Sequence, residues 1–377
     1  MEQLIFSNNR KISTRQVCRT LTLEMLGIST LHLPCFLAGM CGTDGVFALI
    51  LGAVAAMLML KLWGSFTGKQ TIHQALQNCC KGVRLVLSCM YGVIFLLIAG
   101  YALFSLTKVM EEQLLNVKFE PVILITLTAA GVFGVLKGLE SRVRIYEVLF
   151  WFLIIPLIII LGLAAASVNV DYWPPVFAAA PAGFIRSVYI SFVYFSIVSG
   201  FLLFQPHCSN PKRAIKGAAG GLIAVLLLNV AIYLILVGIF QSELLANLPY
   251  PVITLMAVVK LPGEFFERQD AFMTAIWFFC LFSLLNSMLF FGKEMLQGGV
   301  KELLPKKLTD ENKQTGKGNS WWAVISGIAV LSVSLIFLRT ETAFFDFWRA
   351  FVYVIFPVMI LVPVVVFLLG RRKGERT

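Results

Sequence analysis

Residues 18–40 read CRTLTLEMLGISTLHLPCFLAGM, and this stretch indicates the class of protein. From position 25 to position 43 the chain has no Asp, Glu, Lys or Arg, and a helix needs roughly 20 apolar residues to cross a bilayer. Nine further runs free of these four residues follow, at 45–60, 85–107, 121–136, 148–170, 187–211, 217–242, 271–292, 318–338 and 350–370. The sequence therefore predicts an all-α integral membrane protein with about ten transmembrane spans.

The composition excludes a water-soluble globule. Of the 377 residues, 59% are hydrophobic and 14% are charged, and the mean hydropathy is +0.86. The chain begins with the polar stretch MEQLIFSNNRKISTRQ, so we expect no removable signal peptide and a first span that is retained. The eight cysteines show no CxxC spacing, and we expect neither a disulfide framework nor a metal site or other cofactor.

The distribution of positive charge predicts the topology. With ten spans and a cytosolic N-terminus, all but seven of the 31 Lys and Arg residues, Arg142 and Lys293 included, fall on the cytosolic side. The seven outer ones are Lys108, Lys118, Arg186, Lys260, Arg268, Arg339 and Arg349. We therefore expect both termini in the cytosol. This asymmetry explains the net charge of +11, so no nucleic-acid partner is needed beside the lipid bilayer.

The chain is expected to form one polytopic membrane domain. Its predicted parts are a cytosolic N-terminal tail at 1–16, a first five-helix repeat at 17–166, a second at 185–369 containing a cytosolic loop at 298–319, and a cytosolic tail at 370–377. The moderately apolar segment 243–270 is too short to span, and we expect a short helix there, lying on the outer face.

Two of the spans carry residues that could interrupt a helix. Transporters built from two inverted five-helix repeats often have breaks near the midplane in the first helix of each repeat. The interrupting residues are Gly27, Ser29, Thr30 and Pro34 in span 1 and Ser196, Ser199, Gly200 and Pro206 in span 6. We therefore predict that spans 1 and 6 are broken. The alternative is that the small residues only allow close helix packing.

Residues 249–296 resemble the endospore germination permease family, the B subunits of germinant receptors, within the amino acid-polyamine-organocation superfamily. The elements that carry the resemblance are Tyr250–Pro251, Phe266–Glu267–Arg268 and Ile276–Trp277. The stretches ISTRQ at 12–16, 27–34 and 206–216 support it. The chain departs from the family where Gly200 is followed by apolar residues 201–203, since an acidic residue is frequent there.

The resemblance implies a LeuT-like fold of five plus five helices and a place in the spore inner membrane. It also implies a small nutrient germinant as ligand, and assembly with a germinant receptor A subunit and a lipoprotein C subunit.

In such a fold, unwound helices expose backbone groups and half-helix N-termini that suit a carboxylate. The predicted binding residues are Gly27, Ile28, Ser29 and Thr30 from span 1, and Tyr194, Ser196, Ser199 and Gly200 from span 6. Tyr101 of span 3 and Ser283 and Asn286 of span 8 are predicted to flank the pocket. Helix packing would explain these residues as well.

Glu24 is the only acid within a predicted span, and a carboxyl group there is costly unless it faces protein or water. It could hold a proton, pair with a ligand amine or neutralise a basic neighbour. Alternatively, it makes a structural hydrogen bond to another helix. His32 could titrate near neutral pH, although a lone histidine is more often simply hydrogen-bonded.

Three functions fit these features. The first is a ligand-sensing subunit of a germinant receptor, the second a proton- or sodium-coupled amino-acid transporter, and the third a structural membrane scaffold for a signalling partner. No catalytic triad, phosphate-binding loop or metal-ligand cluster is evident in the sequence, so an enzyme is not expected.

Overall fold

The computed structural model describes residues 12–67, 81–111, 119–200, 205, 208–258, 269–301, 317–339 and 352–353. These residues are helical apart from turns, connections and one isolated bridge between Ile12 and Cys208. The helices are α1 (Thr14–Cys41), α2 (Gly45–Thr67), α3 (Lys81–Met110), α4 (Glu120–Leu136), α5 (Leu139–Ala165), α6 (Pro181–Phe195), α7 (Pro211–Leu245), α8 (Pro251–Val258), α9 (Gln269–Lys301) and α10 (Lys317–Arg339).

Seven helical stretches in the described part of the chain are long and apolar enough to cross a membrane. The first, Thr14–Gly64, contains α1 and most of α2, and the 17-residue α4 is apolar as well. Nine of the predicted spans thus have a matching helix. The tenth, at 350–370, lies almost wholly outside the described residues, as do the tail 370–377 and most of the loop 298–319. The division into two repeats stays a prediction.

Local sequence signals set the ends of α1. At its start Ser13 and Gln16 form a capping box, in which Ser13 Oγ accepts from the Gln16 N–H and Gln16 Oε1 accepts from the Ser13 N–H. At its end Gly42 adopts a positive φ of 55°, which favours glycine. A short 3-10 turn, Gly42–Asp44, then leads into α2.

The predicted break in span 1 is wrong. α1 is one continuous helix from Thr14 to Cys41 and accommodates Pro34 within it. A Cβ atom at Gly27 would lie 2.9 Å from the carbonyl carbon of Cys280, so this glycine allows α1 to lie directly against α9. The small residue therefore serves helix packing, the alternative explanation of its presence.

Span 6 does change conformation where the sequence predicts it. α6 ends at Phe195, and the chain tightens into a 3-10 helix from Ser196 to Gly200. Residues 201–204, which follow Gly200, and Pro206 lie outside the described part of the structure.

α1 forms the centre of the bundle. Nearly every residue from Thr20 to Pro34 is buried, and α1 packs against α2, α5, α6, α7, α8 and α9. The α3–α9 pair makes the most extensive helix contact, where Gly92 lies against Leu296 and Gly292 lies against Leu96. Many large apolar side chains on α2, α4, α5 and α10 are exposed instead, as expected for helices that face lipid.

The short helix predicted within 243–270 is present as α8, but it is not confined to the outer surface. It packs against α1 and α9, and Tyr250, Val252 and Leu255 are buried. The remaining part of this segment, 259–268, with Glu267 and Arg268, lies outside the described residues.

The connection between α5 and α6 is held against the α1–α2 turn. Both carboxylate oxygens of the buried Asp44 accept backbone hydrogen bonds, from Phe177 N at 2.6 Å and from Ala179 N at 2.9 Å. Thr43 Oγ1 donates to the Pro175 carbonyl at 2.5 Å. Trp173 Nε1 donates to the Leu234 carbonyl of α7 at 3.2 Å. The connection is therefore fastened to α7 as well as to the turn.

Candidate functional site

Two polar clusters lie along α1, separated by the residues around Gly27. We call the first the tyrosine cluster (His32, Tyr101, Tyr194 and Tyr250) and the second the charged cluster (Glu24, Arg142, Tyr146, Ser283, Asn286 and Ser287). Both are built by buried side chains from several helices. Such groups need hydrogen-bond partners inside the protein because lipid provides none.

The tyrosine cluster joins α1, α3, α6 and the start of α8. The Tyr101 hydroxyl and His32 Nδ1 share a hydrogen bond of 2.6 Å, and Tyr101 also bonds to Tyr194. The His32 and Tyr250 rings lie 5.2 Å apart, and Tyr101 and Tyr250 interact electrostatically. Tyr101 and Tyr250 thus contact the His32 ring directly, and Tyr194 joins the cluster through Tyr101.

The hydroxyl groups in the middle of α1 bond to neighbouring helices. Ser29 Oγ accepts from Asn229 Nδ2 of α7 at 2.9 Å. Thr30 Oγ1 accepts from Trp277 Nε1 of α9 at 2.9 Å and donates to the Leu26 carbonyl. The neighbouring Ile28 is fully buried as well. These contacts satisfy the polar groups of a continuous α1 and tie it to α7 and α9.

The charged cluster surrounds Glu24, which is 1% exposed. Its Oε1 accepts a hydrogen bond from Ser287 Oγ of α9. The Glu24 carboxyl group also interacts electrostatically with Arg142 and Tyr146 of α5. The structural hydrogen bond and the basic neighbour considered for Glu24 are therefore both present in the structure.

Arg142, which the topology prediction counts among the cytosolic charges, is 4% exposed. It lies in the first turn of α5, but its side chain packs against α9. Nη1 donates to the Asn286 carbonyl at 2.6 Å, and the guanidinium carbon lies 4.6 Å from the centroid of the Phe290 ring. A carbonyl, an aromatic face and the nearby Glu24 carboxyl group compensate the buried cation.

Lys293, another residue in that count, is also buried. Its Nζ lies 5.1 Å from the same Phe290 ring and 2.9 Å from a carboxylate oxygen of the half-exposed Glu294. Phe290 is therefore in contact with two cations. The second of them, Lys293, pairs with the carboxylate of Glu294, which solvent can reach.

Five of the predicted site residues lie in the two clusters. Tyr101 and Tyr194 meet in the tyrosine cluster, and Glu24, Ser283 and Asn286 meet in the charged cluster. The buried Ser196 donates to the Val193 carbonyl at 2.6 Å. Ser199 and Gly200 belong to the 3-10 helix, but their side chains lie outside the described part.

Sequence reasoning missed Arg142, Tyr146, Asn229 and Trp277 as members of these contacts. Asn229 offered a signal, because an amide within a charge-free run needs a partner in the membrane. In the part of the chain that the structure describes, no group of three His, Cys, Asp or Glu side chains could hold a metal ion.

A third set of contacts closes the end of the bundle where α1 begins. The Glu147 carboxylate of α5 accepts from Arg15 Nε and Gln16 Nε2, both at 2.8 Å, and its Oε1 lies 3.2 Å from Arg19 Nη1. Beside it the Ile12 segment pairs with Cys208, and Ser209 N donates to the Ile12 carbonyl. Cys208 is 5% exposed, so the closed end of the bundle limits the access of a thiol reagent to it.

Replacing Glu147 by Gln should loosen this end of the bundle. We expect Cys208 to react several-fold faster with a thiol reagent at pH 8, because the reagent then reaches a thiol that the closed bundle shields. The measurement is the labelling rate of detergent-solubilised protein in which the other seven cysteines are Ser. Glu140→Gln is the control, since Glu140 pairs only with the exposed Arg144 in the described structure. Equal rates in both variants would contradict a closing role for Glu147.

The helical bundle, with its buried polar clusters on a central helix, defines an integral membrane protein of transporter-like architecture. Two solved structures share its fold. One is a Na⁺-coupled sialic acid symporter in a substrate-bound outward-open state, with a TM-score of 0.64 and 14% identity, covering 94% of this chain and 78% of the other. The second is Mhp1, a nucleobase-cation-symport-1 family transporter in a closed conformation. Its TM-score is 0.60 at 14% identity, and the match covers 86% of this chain and 71% of the other. The LeuT-like fold implied by the resemblance is confirmed.

The chain belongs to the family described as "Spore germination protein", whose match extends over residues 11–341. It is 22% identical to spore germination protein YndE of Bacillus subtilis (strain 168) over 285 residues, 74% of this chain and 78% of the relative. It is 23% identical over 278 residues to spore germination protein A2 of the same organism, covering 72% and 76%. For protein B2 of the same organism the identity is 22% over 274 residues, which are 72% of this chain and 74% of the relative. The predicted family is confirmed.

Proposed function

We propose that this protein is the membrane subunit of a spore germinant receptor, which binds a small nutrient, an amino acid or a similar molecule, and signals germination. The linkage of four segments in the tyrosine cluster carries the proposal, because a ligand that competes for one of its contacts acts on several helices at once. Membership of a spore germination family and the transporter fold supply the context. In this proposal the protein is a receptor rather than an enzyme.

The geometry suggests how binding becomes a signal. Tyr101 of α3 and Tyr194 of α6 reach His32 of α1 through hydrogen bonds. A ligand that takes over one of these bonds stabilises a different spacing of the three helices. It shifts the balance between the two arrangements only by its difference in affinity for them. The shifted helices then alter the surface that meets partner subunits.

The partners we propose are a germinant receptor A subunit and a lipoprotein C subunit, in the spore inner membrane. The family resemblance implies this assembly. The relatives A2 and B2 are named as spore germination proteins, which agrees with a role in germination.

The second candidate is a coupled transporter for amino acids. The observation that favours it is the fold, which is shared with a Na⁺-coupled symporter and a nucleobase-cation symporter. A scaffold without a ligand is the third. Reconstituted vesicles separate the three: binding of a nutrient without uptake supports the receptor, concentrative uptake supports the transporter, and no binding of any nutrient supports the scaffold.

We also propose that both termini lie in the cytosol, on the strength of the Lys and Arg distribution. Reporter fusions after residue 310 and at the C-terminus should both report the cytosol. A periplasmic-type signal from either fusion in a bacterial host would contradict the ten-span arrangement.

A further inference from the structure

An apolar groove of about 490 Å³ lies at the end of the bundle where α1 leads into α2. We call it the α2–α6 groove, because Phe47, Ile50 and Leu51 of α2 and Phe184 of α6 line it. Phe177 of the α5–α6 connection lines it as well, and its ring stacks on that of Phe47 with the centroids 4.7 Å apart. The volume is within the range of sites that bind small molecules.

The groove occupies the space between the first turns of its two helices. Farther along, α2 and α6 are in close contact, since a Cβ atom at Gly52 would lie 2.5 Å from the Cβ of Ser191. The adjoining α5–α6 connection carries Tyr172 and Trp173, and these residue types are enriched at the boundary between membrane and water. The groove therefore lies near that boundary.

One side of the groove is continuous with the surface of α2 that faces lipid. Ile50 and Leu51 are both large and apolar, yet they are 39% and 47% exposed. Ile50 begins a stripe of exposed apolar side chains at every fourth position, which continues through Val54 and Leu58 to Leu62. A hydrocarbon chain that lies along this stripe reaches the groove without leaving an apolar surface.

The chemistry of the groove matches a hydrocarbon chain rather than a polar ligand. Apart from Asp44, the described residues that line it are apolar. Both carboxylate oxygens of Asp44 already accept hydrogen bonds, from the N–H groups of Phe177 and Ala179. A polar ligand would therefore lose its hydrogen bonds to water without gaining equivalent ones here.

Phe177 also indicates that this surface is covered. Its φ is 60°, which is uncommon for a residue other than glycine, and the hydrogen bond of its N–H to Asp44 holds this conformation. The side chain that the backbone presents in this way is 78% exposed. A large aromatic ring held on a strained backbone next to an apolar groove is typical of a binding surface.

We propose that the α2–α6 groove binds one acyl chain of a membrane lipid from the leaflet at this end of the bundle. The chain lies against Ile50 and Leu51 and covers the ring of Phe177. The site shares no residue with the tyrosine cluster or the charged cluster, so this inference goes beyond the proposed receptor function and does not depend on it.

The test is photo-crosslinking of the purified full chain in detergent. The probe is a phosphatidylcholine that carries a diazirine in one acyl chain, added at increasing concentration, and peptide mapping locates the label. Labelling of the groove residues should reach half-saturation at a concentration roughly tenfold lower than labelling of the stripe from Val54 to Leu62. This ratio corresponds to about 60 Å² of apolar surface withdrawn from water. Equal half-saturation at the two places, or an unlabelled groove, overturns the proposal and favours a membrane-spanning segment of a partner protein as the occupant.

Leu51→Trp fills the groove with an indole ring while α2 stays apolar. We expect it to remove the tenfold difference. Leu58→Trp is the matched control, because Leu58 belongs to the same exposed stripe and does not line the groove, and it should keep the difference. An unchanged difference in a folded Leu51→Trp variant overturns the proposal.

Phe177→Ala decides the question if Leu51→Trp does not fold. Its side chain is exposed and its backbone bond to Asp44 remains, so the fold is kept, while half-saturation of the groove should need several-fold more lipid. Phe119→Ala, at another exposed phenylalanine, should leave it unchanged. Equal values in these two variants would then refute the acyl-chain site.

Two unlabelled competitors show which part of the lipid is recognised. Lysophosphatidylcholine, with one acyl chain, should suppress labelling of the groove. Glycerophosphocholine, which has the same head group and no chain, should not. Equal suppression by both would mean that the head group is bound instead, which contradicts the proposal.

Discussion

Replacing Gly27 by Leu should remove most of the folded protein. Even a single methyl group at this position would lie 2.9 Å from the carbonyl carbon and 3.0 Å from the Cβ of Cys280, and the first of these atoms is backbone. α1 and α9 are both long helices within the bundle, so neither can shift locally to make room. We expect a loss of at least about 3 kcal/mol, at the upper end of the cost of overpacking.

The measurement for Gly27→Leu is the yield of monodisperse protein after extraction from the membrane. Gly162→Leu is the matched control, because Gly162 also lies within a span but has open space around its missing side chain. Leu favours insertion into a bilayer, so this control should be produced at the wild-type level. Normal yield of Gly27→Leu with loss of nutrient binding would instead support a ligand-contacting role for Gly27.

The second large effect concerns the buried charges Glu24 and Arg142. Changing either one alone to Gln should cost about 2–3 kcal/mol, because it removes one member of a buried polar network and leaves the partners of that side chain unsatisfied. The double variant should lose less than the sum of the two. A coupling of about 1–3 kcal/mol is the range for residues within one network.

Thermal or denaturant unfolding of the four proteins in detergent measures this coupling. The pair Glu140 and Arg144 on α5 provides the matched control. Its N–O distance is 2.6 Å, but the Arg144 side chain is 58% exposed. Its coupling should stay below about 0.5 kcal/mol, since water screens an exposed pair. Strictly additive effects at Glu24 and Arg142 would show that Glu24 acts only through Ser287.

The positions of the spans could be predicted because absence of charge over a membrane thickness is a local property of the sequence. The run 121–136 corresponds almost residue for residue to α4. The break in span 1 could not be predicted correctly, because the same small residues serve unwinding and close packing. Only the position of Cys280 against Gly27 distinguishes the two.

Prediction of the two clusters from the sequence is limited in a similar way. Tyr101 and Tyr194 could be predicted because their spans border the central helix in a LeuT-like fold. Arg142 could not, because it lies beside the end of a span, where a basic residue ordinarily faces water. Its burial depends on the path of the side chain to Asn286 and Phe290, which are more than a hundred residues away in sequence.

The attachment of Asp44 to the α5–α6 connection has a mechanical consequence. The exposed Phe177 is bonded through its backbone to the carboxylate at the end of α1, and charge-assisted hydrogen bonds are about twice as strong as neutral ones. A force applied to Phe177 from outside is therefore transmitted to the turn at Gly42–Asp44 and along the continuous helix that carries His32 and Glu24. Movement of the α5–α6 connection and movement of the buried clusters are therefore coupled through α1.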